Sequence, residues 1–270
     1  MNFPPDYHMH TPLCRHATGR PVEYAREAAR QRIPEICFTD HFPAPDGYDS
    51  ESRMTLEQFP DYDAMIAEAA RVPGVVVRFG IEADYYPGSS SFLERWLARQ
   101  EFDLVLGSVH CLGRWGIDDE NLIEMWDTAD TEETWKEYFR LIGALADTGL
   151  YDVIGHLDLA KKFGFRPGAD TVLEMAKPTL DKIAAAGMAI EVNTAGLRKP
   201  IGEIYPSASL LMLACERGIP ITFGSDAHAP REVGHAFEQA VRWARAAGYT
   251  HSARYRRRCR QSVPLPLASD

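Results

Sequence analysis

Long apolar runs are missing from this 270-residue sequence. None approaches the roughly 18 residues that a membrane-spanning helix needs, and the N-terminus lacks both a charged leader and an apolar segment behind it. No membrane partner and no secretory processing are therefore expected. Cysteine is scarce: Cys14, Cys37, Cys111, Cys215 and Cys259 form an odd set without a CxxC pair. That usage points to a reducing compartment, read here as the cytoplasm. Positive charge is in deficit, with 29 Lys and Arg against 39 Asp and Glu and a net charge of -10. Such a field repels polyanions, so no nucleic-acid partner is expected. A small phosphorylated substrate stays compatible if the site carries its own positive charge. There is no low-complexity segment, no fixed-period repeat and no Gly/Ser linker, and a single domain over residues 1–270 is expected.

What is present is an alternation of short apolar runs with longer amphipathic stretches, the pattern of repeated βα units. The strand candidates are Tyr7–His10, Ile36–Thr39, Val75–Ile81, Leu104–Val109, Val153–Gly155, Ala189–Val192 and Ile221–Phe223. The helical candidates are Val22–Gln31, Leu56–Arg71, Phe92–Gln100, Thr131–Thr148, Thr171–Ala186, Ser207–Arg217 and His235–Ala247. Gly187 and Gly218 follow two of these as stop signals, and Ser207 reads as an N-cap. The pattern predicts an α/β fold built as one parallel barrel. An open doubly wound sheet is the second choice, but the glycine-rich phosphate fingerprint is absent after the first strand. The basic run Arg254–Arg260, followed by Ser262-Val-Pro-Leu-Pro-Leu, reads as a solvated helix end with a loose terminus.

Strand ends carry the chemistry, because in a parallel barrel their C-terminal ends open onto one face. Read in order, they present His8-Met-His10, Asp40-His41, Glu82, His110, His156-Leu-Asp158, Glu191-Val-Asn193 and Asp226-Ala-His228, with His16 in the loop after the first. Residues two apart on a strand face the same side, so His8 with His10, and Asp226 with His228, can each grip one ion. Imidazole mixed with carboxylate suits zinc, iron or manganese better than calcium or magnesium alone. Asp40 should point away from its neighbour, which leaves His41 as the candidate there. A single strand-end histidine is ordinarily a hydrogen-bonded structural residue; seven units offering metal-type residues at one end are another matter. Cys14, Cys111, His235 and His251 read as structural, Asp158 as a partner orienting a histidine, and Glu191 as structural or as such a partner.

The motifs His8-Met-His-Thr-Pro-Leu-Cys-Arg-His16, Phe38-Thr-Asp-His41, Gly80-Ile-Glu82, Gly107-Ser-Val-His110, Gly155-His-Leu-Asp158, Glu191-Val-Asn-Thr-Ala-Gly-Leu-Arg198 and Gly224-Ser-Asp-Ala-His228, in this order, resemble the PHP (polymerase and histidinol phosphatase) superfamily. Within it they resemble the monofunctional histidinol-phosphate phosphatases. The resemblance implies a distorted TIM-like (β/α)7 barrel with two or three divalent ions. It further implies that His8, His10, Glu82 and Asp226 hold one ion, His16, His41 and His228 a second, and Glu82, His110 and His156 a third. Three such ions carry a formal charge of about +6, only about half offset by two carboxylates and a hydroxide, so the pocket is cationic inside an acidic protein.

Its implied reaction is hydrolysis of L-histidinol phosphate in histidine biosynthesis by a metal-activated bridging water. Glu82, Asp226 and His228 would act through the metals, and Lys161 and Arg198 are the basic candidates for holding phosphate. The rival readings are a PHP-type nuclease or nucleotide phosphoesterase, and a catalytically silent metal-binding scaffold.

Overall fold

A computed structural model describes residues 3–266. Its strands are β1 (Glu35–Phe38), β2 (Val76–Asp84), β3 (Leu104–Ser108), β4 (Cys111–Leu112), β5 (Trp115–Gly116), β6 (Val153–Ile154), β7 (Ala189–Asn193), β8 (Ile221–Gly224), β9 (His251–Arg256) and β10 (Cys259–Pro264). Six of them form one parallel sheet in the order β1-β2-β3-β6-β7-β8. β1, β3, β7 and β8 are buried at every position, as strands covered on both faces should be.

Residues 6–10 run between the two edges of that sheet. Asp6 bridges in parallel to Ile36 and Met9 to Ala227. Cys37 N donates to Asp6 O at 2.8 Å, and Tyr7 N donates to Phe223 O at 2.9 Å. The segment is too irregular to form a continuous ladder, yet it takes the place of the seventh strand and closes the sheet into a distorted barrel.

Helices α1 (Pro21–Gln31), α2 (Phe59–Ala69), α3 (Ser90–Leu97), α4 (Thr131–Asp147), α5 (Ala169–Ala185), α6 (Ala208–Glu216) and α7 (Phe237–Ala246) pack around it. Their ends follow local chemistry. Asp130 accepts from Glu133 N at 3.1 Å to cap α4, and Pro21 opens α1, where a missing N–H costs nothing. Gly187 and Gly218 stand one residue past the C-caps of α5 and α6 at φ +67°, a left-handed conformation that glycine adopts freely. Among the described residues, no helix is long and apolar enough to cross a membrane.

The tail corrects the sequence expectation. Instead of a solvated helix end, β9 and β10 form an antiparallel hairpin, so His251 heads a strand; the last residue of the Pro-Leu-Pro-Leu run, Leu267, lies outside the described residues. Alternate residues Ala253 and Tyr255 turn inward and join Tyr7, Cys37, Leu104, Val153 and Ala189 in a separate apolar cluster. The Tyr255 ring meets Tyr7 edge-on at 6.3 Å, and Arg258 Nε reaches Asp152 Oδ2 at 3.0 Å. These partners lie at or near the N-terminal ends of the strands, so the hairpin stops the barrel at the end opposite the expected site.

Candidate metal centre

All nine residues that the resemblance names as ligands come together at the C-terminal mouth, around Glu82 near the end of β2. Glu82 Oε2 lies 3.3 Å from His8 Nε2, 3.5 Å from His10 Nε2 and 3.1 Å from His41 Nδ1. Its Oε1 lies 3.2 Å from His156 Nε2 and 3.6 Å from His110 Nε2, and accepts from Ser108 Oγ at 2.6 Å. Asp226 Oδ1 faces His10 Nε2 at 3.3 Å and His8 Nε2 at 3.7 Å. His16 and His228 complete the rim with their Nε2 atoms 2.9 Å apart. Two neutral imidazole lone pairs repel at that distance, so the pair calls for a proton or a cation between them.

Most of these rings are aimed from behind. Glu191 Oε1 holds His8 Nδ1 at 2.8 Å, Asp40 Oδ1 lies 3.4 Å from His10 Nδ1, and Asp84 binds His110 Nδ1. Backbone carbonyls of Cys14 and Asp226 accept from Nδ1 of His16 and His228 at 2.8 and 3.0 Å. Each contact fixes a tautomer that leaves Nε2 turned to the centre as a lone-pair donor. Two residues of the cluster, His156 (φ 22°) and Asp226 (φ 51°), occupy the left-handed region, which costs of order 1 kcal/mol or more for a non-glycine residue. Gly224 lets the cluster close: a Cβ there would stand 1.8 Å from Glu191 Oε1 and 2.6 Å from His8 Cβ.

Electrostatics divides the histidines. Burial opposes charge on His8, but Glu191, Asp226 and Glu82 outweigh it and raise its pKa well above the ordinary value. Burial likewise opposes charge on His10 and His110, yet hydrogen bonds from His10 to Asp226 and Asp40 raise His10 to about 9, and Asp84 and Glu82 raise His110 to about 10. Burial drives His41 and His228 well below the ordinary range, and neighbouring charged histidines add to it. Burial penalises the carboxylates of Glu82 and Asp226, but the surrounding imidazoles hold both well below the usual carboxylate range.

Four buried atoms of this cluster, His8 Nε2, His41 Nδ1, Glu82 Oε2 and His156 Nδ1, make no hydrogen bond among the described residues, and the first three face one another. Buried polar groups are nearly always satisfied, and these three converge on one point. Several overlapping triads, among them His10-His41-His228, His8-His10-Glu82 and His8-His156-Asp226, bring ligand atoms within 4.8 Å of one another. The donor set therefore fits divalent cations bound by nitrogen and oxygen.

The residues outside the nine divide differently. Arg198 Nη2 donates to Ser225 O at 2.9 Å and Asp226 O at 3.1 Å, which ties it to the turn that carries Asp226, while its buried Nη1 makes no hydrogen bond among the described residues. Lys161 spends its buried ammonium on Ile204 O at 2.8 Å and Asp158 at 3.0 Å. Asp158 thus pairs with a lysine and with Ser207 N, not with a histidine as expected. Glu191 is a histidine partner. His235 lies in the turn before α7 and His251 in β9. Sequence reasoning set Asp40 aside and passed over Asp84, Ser108 and Arg53; Asp84 stands two residues beyond Glu82, the same spacing that marked His8 and His10.

The chain belongs to the PHP domain family, whose model matches residues 6–195, and a PHP-associated model matches residues 211–241. Relatives place it near the histidinol-phosphatases of that family. A probable histidinol-phosphatase of Deinococcus radiodurans is 45% identical over 245 residues, covering 90% of this chain and 93% of the relative. The histidinol-phosphatase of Bacillus subtilis is 28% identical over 86% of this chain and 96% of its own length. Among solved structures, histidinol phosphate phosphatase from Lactococcus lactis, complexed with zinc, L-histidinol and phosphate, superposes with a TM-score of 0.79 over 97% of this chain and 100% of that one at 23% identity. That likeness carries the fold.

Proposed function

We propose that this protein is a metal-dependent phosphomonoesterase that hydrolyses L-histidinol phosphate to L-histidinol and inorganic phosphate in histidine biosynthesis. The observation that carries the proposal is the convergence of five imidazoles on the two oxygens of one buried carboxylate, Glu82, where three of the facing atoms make no hydrogen bond among the described residues. Supporting it is the 45% identical relative, a probable histidinol-phosphatase.

In this reading His8, His10, His16, His41, Glu82, His110, His156, Asp226 and His228 hold two or three ions of zinc, iron or manganese. When bound, such ions lower the pKa of water to about 7 and neutralise charge on phosphoryl oxygens. The protein's own contribution is geometric. Glu82, with each oxygen facing a different set of imidazoles, joins the two halves of the cluster. Asp226 and His228 share one turn, which Arg198 fastens from behind, and Arg198, whose Nη1 makes no hydrogen bond among the described residues, is the candidate for holding a phosphate oxygen. Lys161 acts at a distance, by pinning the segment at Ile204 against the loop after β6. Five free cysteines suit a cytoplasmic enzyme.

The test is phosphate release from L-histidinol phosphate by metal-stripped protein reloaded with zinc or manganese, beside nucleotides and p-nitrophenyl phosphate. Metal-restored turnover that strongly prefers L-histidinol phosphate is the expected result. Preference for a nucleotide would overturn the substrate assignment, and absence of turnover with metals bound would overturn the enzymatic reading.

A further inference from the structure

The Asp84 carboxylate that holds His110 is itself held from behind by a buried arginine with no role so far. Arg53, on the loop between β1 and α2, is 2% exposed although it is an arginine. Its Nε donates to Asp49 O at 3.0 Å, its Nη1 to Phe42 O at 3.1 Å, and its Nη2 to Asp49 Oδ2 at 2.9 Å and to Asp84. The guanidinium also stacks over the Tyr48 ring, 4.9 Å from its centroid. Asp84 is fully buried, and its other oxygen takes Nδ1 of His110, whose Nε2 lies 3.6 Å from Glu82 Oε1.

We infer that Arg53 is a positioning residue: acting through Asp84, it fixes the ring plane and tautomer of His110 and so sets the affinity of the ion that His110 helps to hold. The inference rests on the metal centre proposed above. A carboxylate between an arginine and an imidazole has one oxygen for each, so clamping one oxygen orients the other. The planar fork suits the task, because its donors meet four acceptor atoms on three residues at fixed angles. Without it, Asp84 could swing toward other partners and His110 would lose the contact that turns Nε2 inward. The same fork pins the loop carrying Tyr48, whose ring stacks on Tyr86 at 4.0 Å.

The test titrates Co2+ into the metal-stripped full chain against a chromophoric chelator, reading equivalents, affinity and the Co2+ absorption spectrum. Wild type is compared with Arg53→Met, Arg53→Lys, Asp84→Asn and the Arg53→Met/Asp84→Asn double variant. The double variant leaves no unpaired buried charge, so it keeps the experiment decisive where Arg53→Met fails to fold. One equivalent should bind about 10–100-fold more weakly in Arg53→Met, with a changed spectrum, while the others keep their affinity. Lysine should not rescue, and the double variant should lose no more than Asp84→Asn alone. Wild-type affinities and spectrum in a folded variant lacking Arg53, or additive losses in the double variant, would overturn the inference. A wild type that binds no Co2+ would overturn the metal centre itself, and this inference with it.

Discussion

Glu191→Gln is the sharpest perturbation of the cluster, because it changes almost no volume and one charge. The wild-type carboxylate accepts three bonds: His8 Nδ1 at 2.8 Å, His156 N at 2.9 Å and Asn193 Nδ2 at 2.9 Å. All three partners are donors, and a glutamine brings one acceptor oxygen and one donor amide. If the oxygen stays with His156 N and Asn193, the amide faces His8 Nδ1, whose ring must then move its proton to Nε2 and present an N–H to the centre. If the oxygen turns to His8, two donors lose their acceptor. Gly224 leaves no room to rotate away, since Glu191 Oε1 lies 1.8 Å from where a Cβ would stand. Loss of one charge-assisted bond costs about 1.5–3 kcal/mol, or roughly 3–12 °C in Tm for a domain of this size. Misplacing a ligand's partner weakens metal binding by about 10–100-fold. Zinc titration against a chromophoric chelator, thermal melts in chelator and steady-state phosphate release together read these effects. Wild-type zinc affinity and turnover in Glu191→Gln would refute the claim that Glu191 sets the tautomer of His8.

Gly224→Ala should destabilise by at least about 1–3 kcal/mol and reduce bound metal, because the new methyl displaces Glu191; denaturant melts with metal analysis check this. In the metal-free protein, His10 and His110 have pKa values raised to about 9 and about 10, so their stabilising contribution is fully present below about pH 6.5 and is lost as pH rises through those values. A divalent ion must displace these protons, so zinc affinity should rise with pH up to about 10, with proton release on binding measurable by calorimetry in buffers of different ionisation enthalpy. Tyr255→Ala should cost about 3–5 kcal/mol while leaving turnover per folded molecule unchanged, since the ring packs at the opposite end of the barrel; melts and active-site-normalised rates separate the two.

The sequence exposed those parts of the site that obey a strand's two-residue period. His8 with His10 and Asp226 with His228 are such pairs, and the alternation of apolar runs with amphipathic stretches implied the barrel. Asp84 obeys the same rule but was lost because the apolar run ends at Ile81, whereas β2 continues to Asp84. Asp40 and His41 both lie beyond the end of β1, where the two-residue alternation no longer governs, and the Asp40 carboxylate comes within 3.4 Å of His10 Nδ1. Arg53 sits in a loop without periodicity, where only tertiary packing decides burial. The hairpin was masked by charge. Arg257 and Arg258 form its turn at φ 48° and 61°, a conformation usually announced by Asn-Gly, so a run of arginines hid strands whose alternate residues Ala253 and Tyr255 are buried.

The segment at residues 6–10, which joins the first and last strands of the sheet, also imposes an order on folding. Asp6 accepts from Ser225 N and Oγ, 219 positions away, and the His8–His10 pair sits on the same seam. At ribosomal speeds of about 5–20 residues per second, the last strand emerges roughly 10–45 s after the first. During that interval the first segment can pair only with β1, and the histidines that open the sequence have neither Asp226 nor His228 to face. Until then His8 and His10 can meet only the early members of the cluster, such as His41 and Glu82. Closing the seam and bringing Asp226 and His228 to the cluster are therefore one event, timed by β8, the last strand of the sheet.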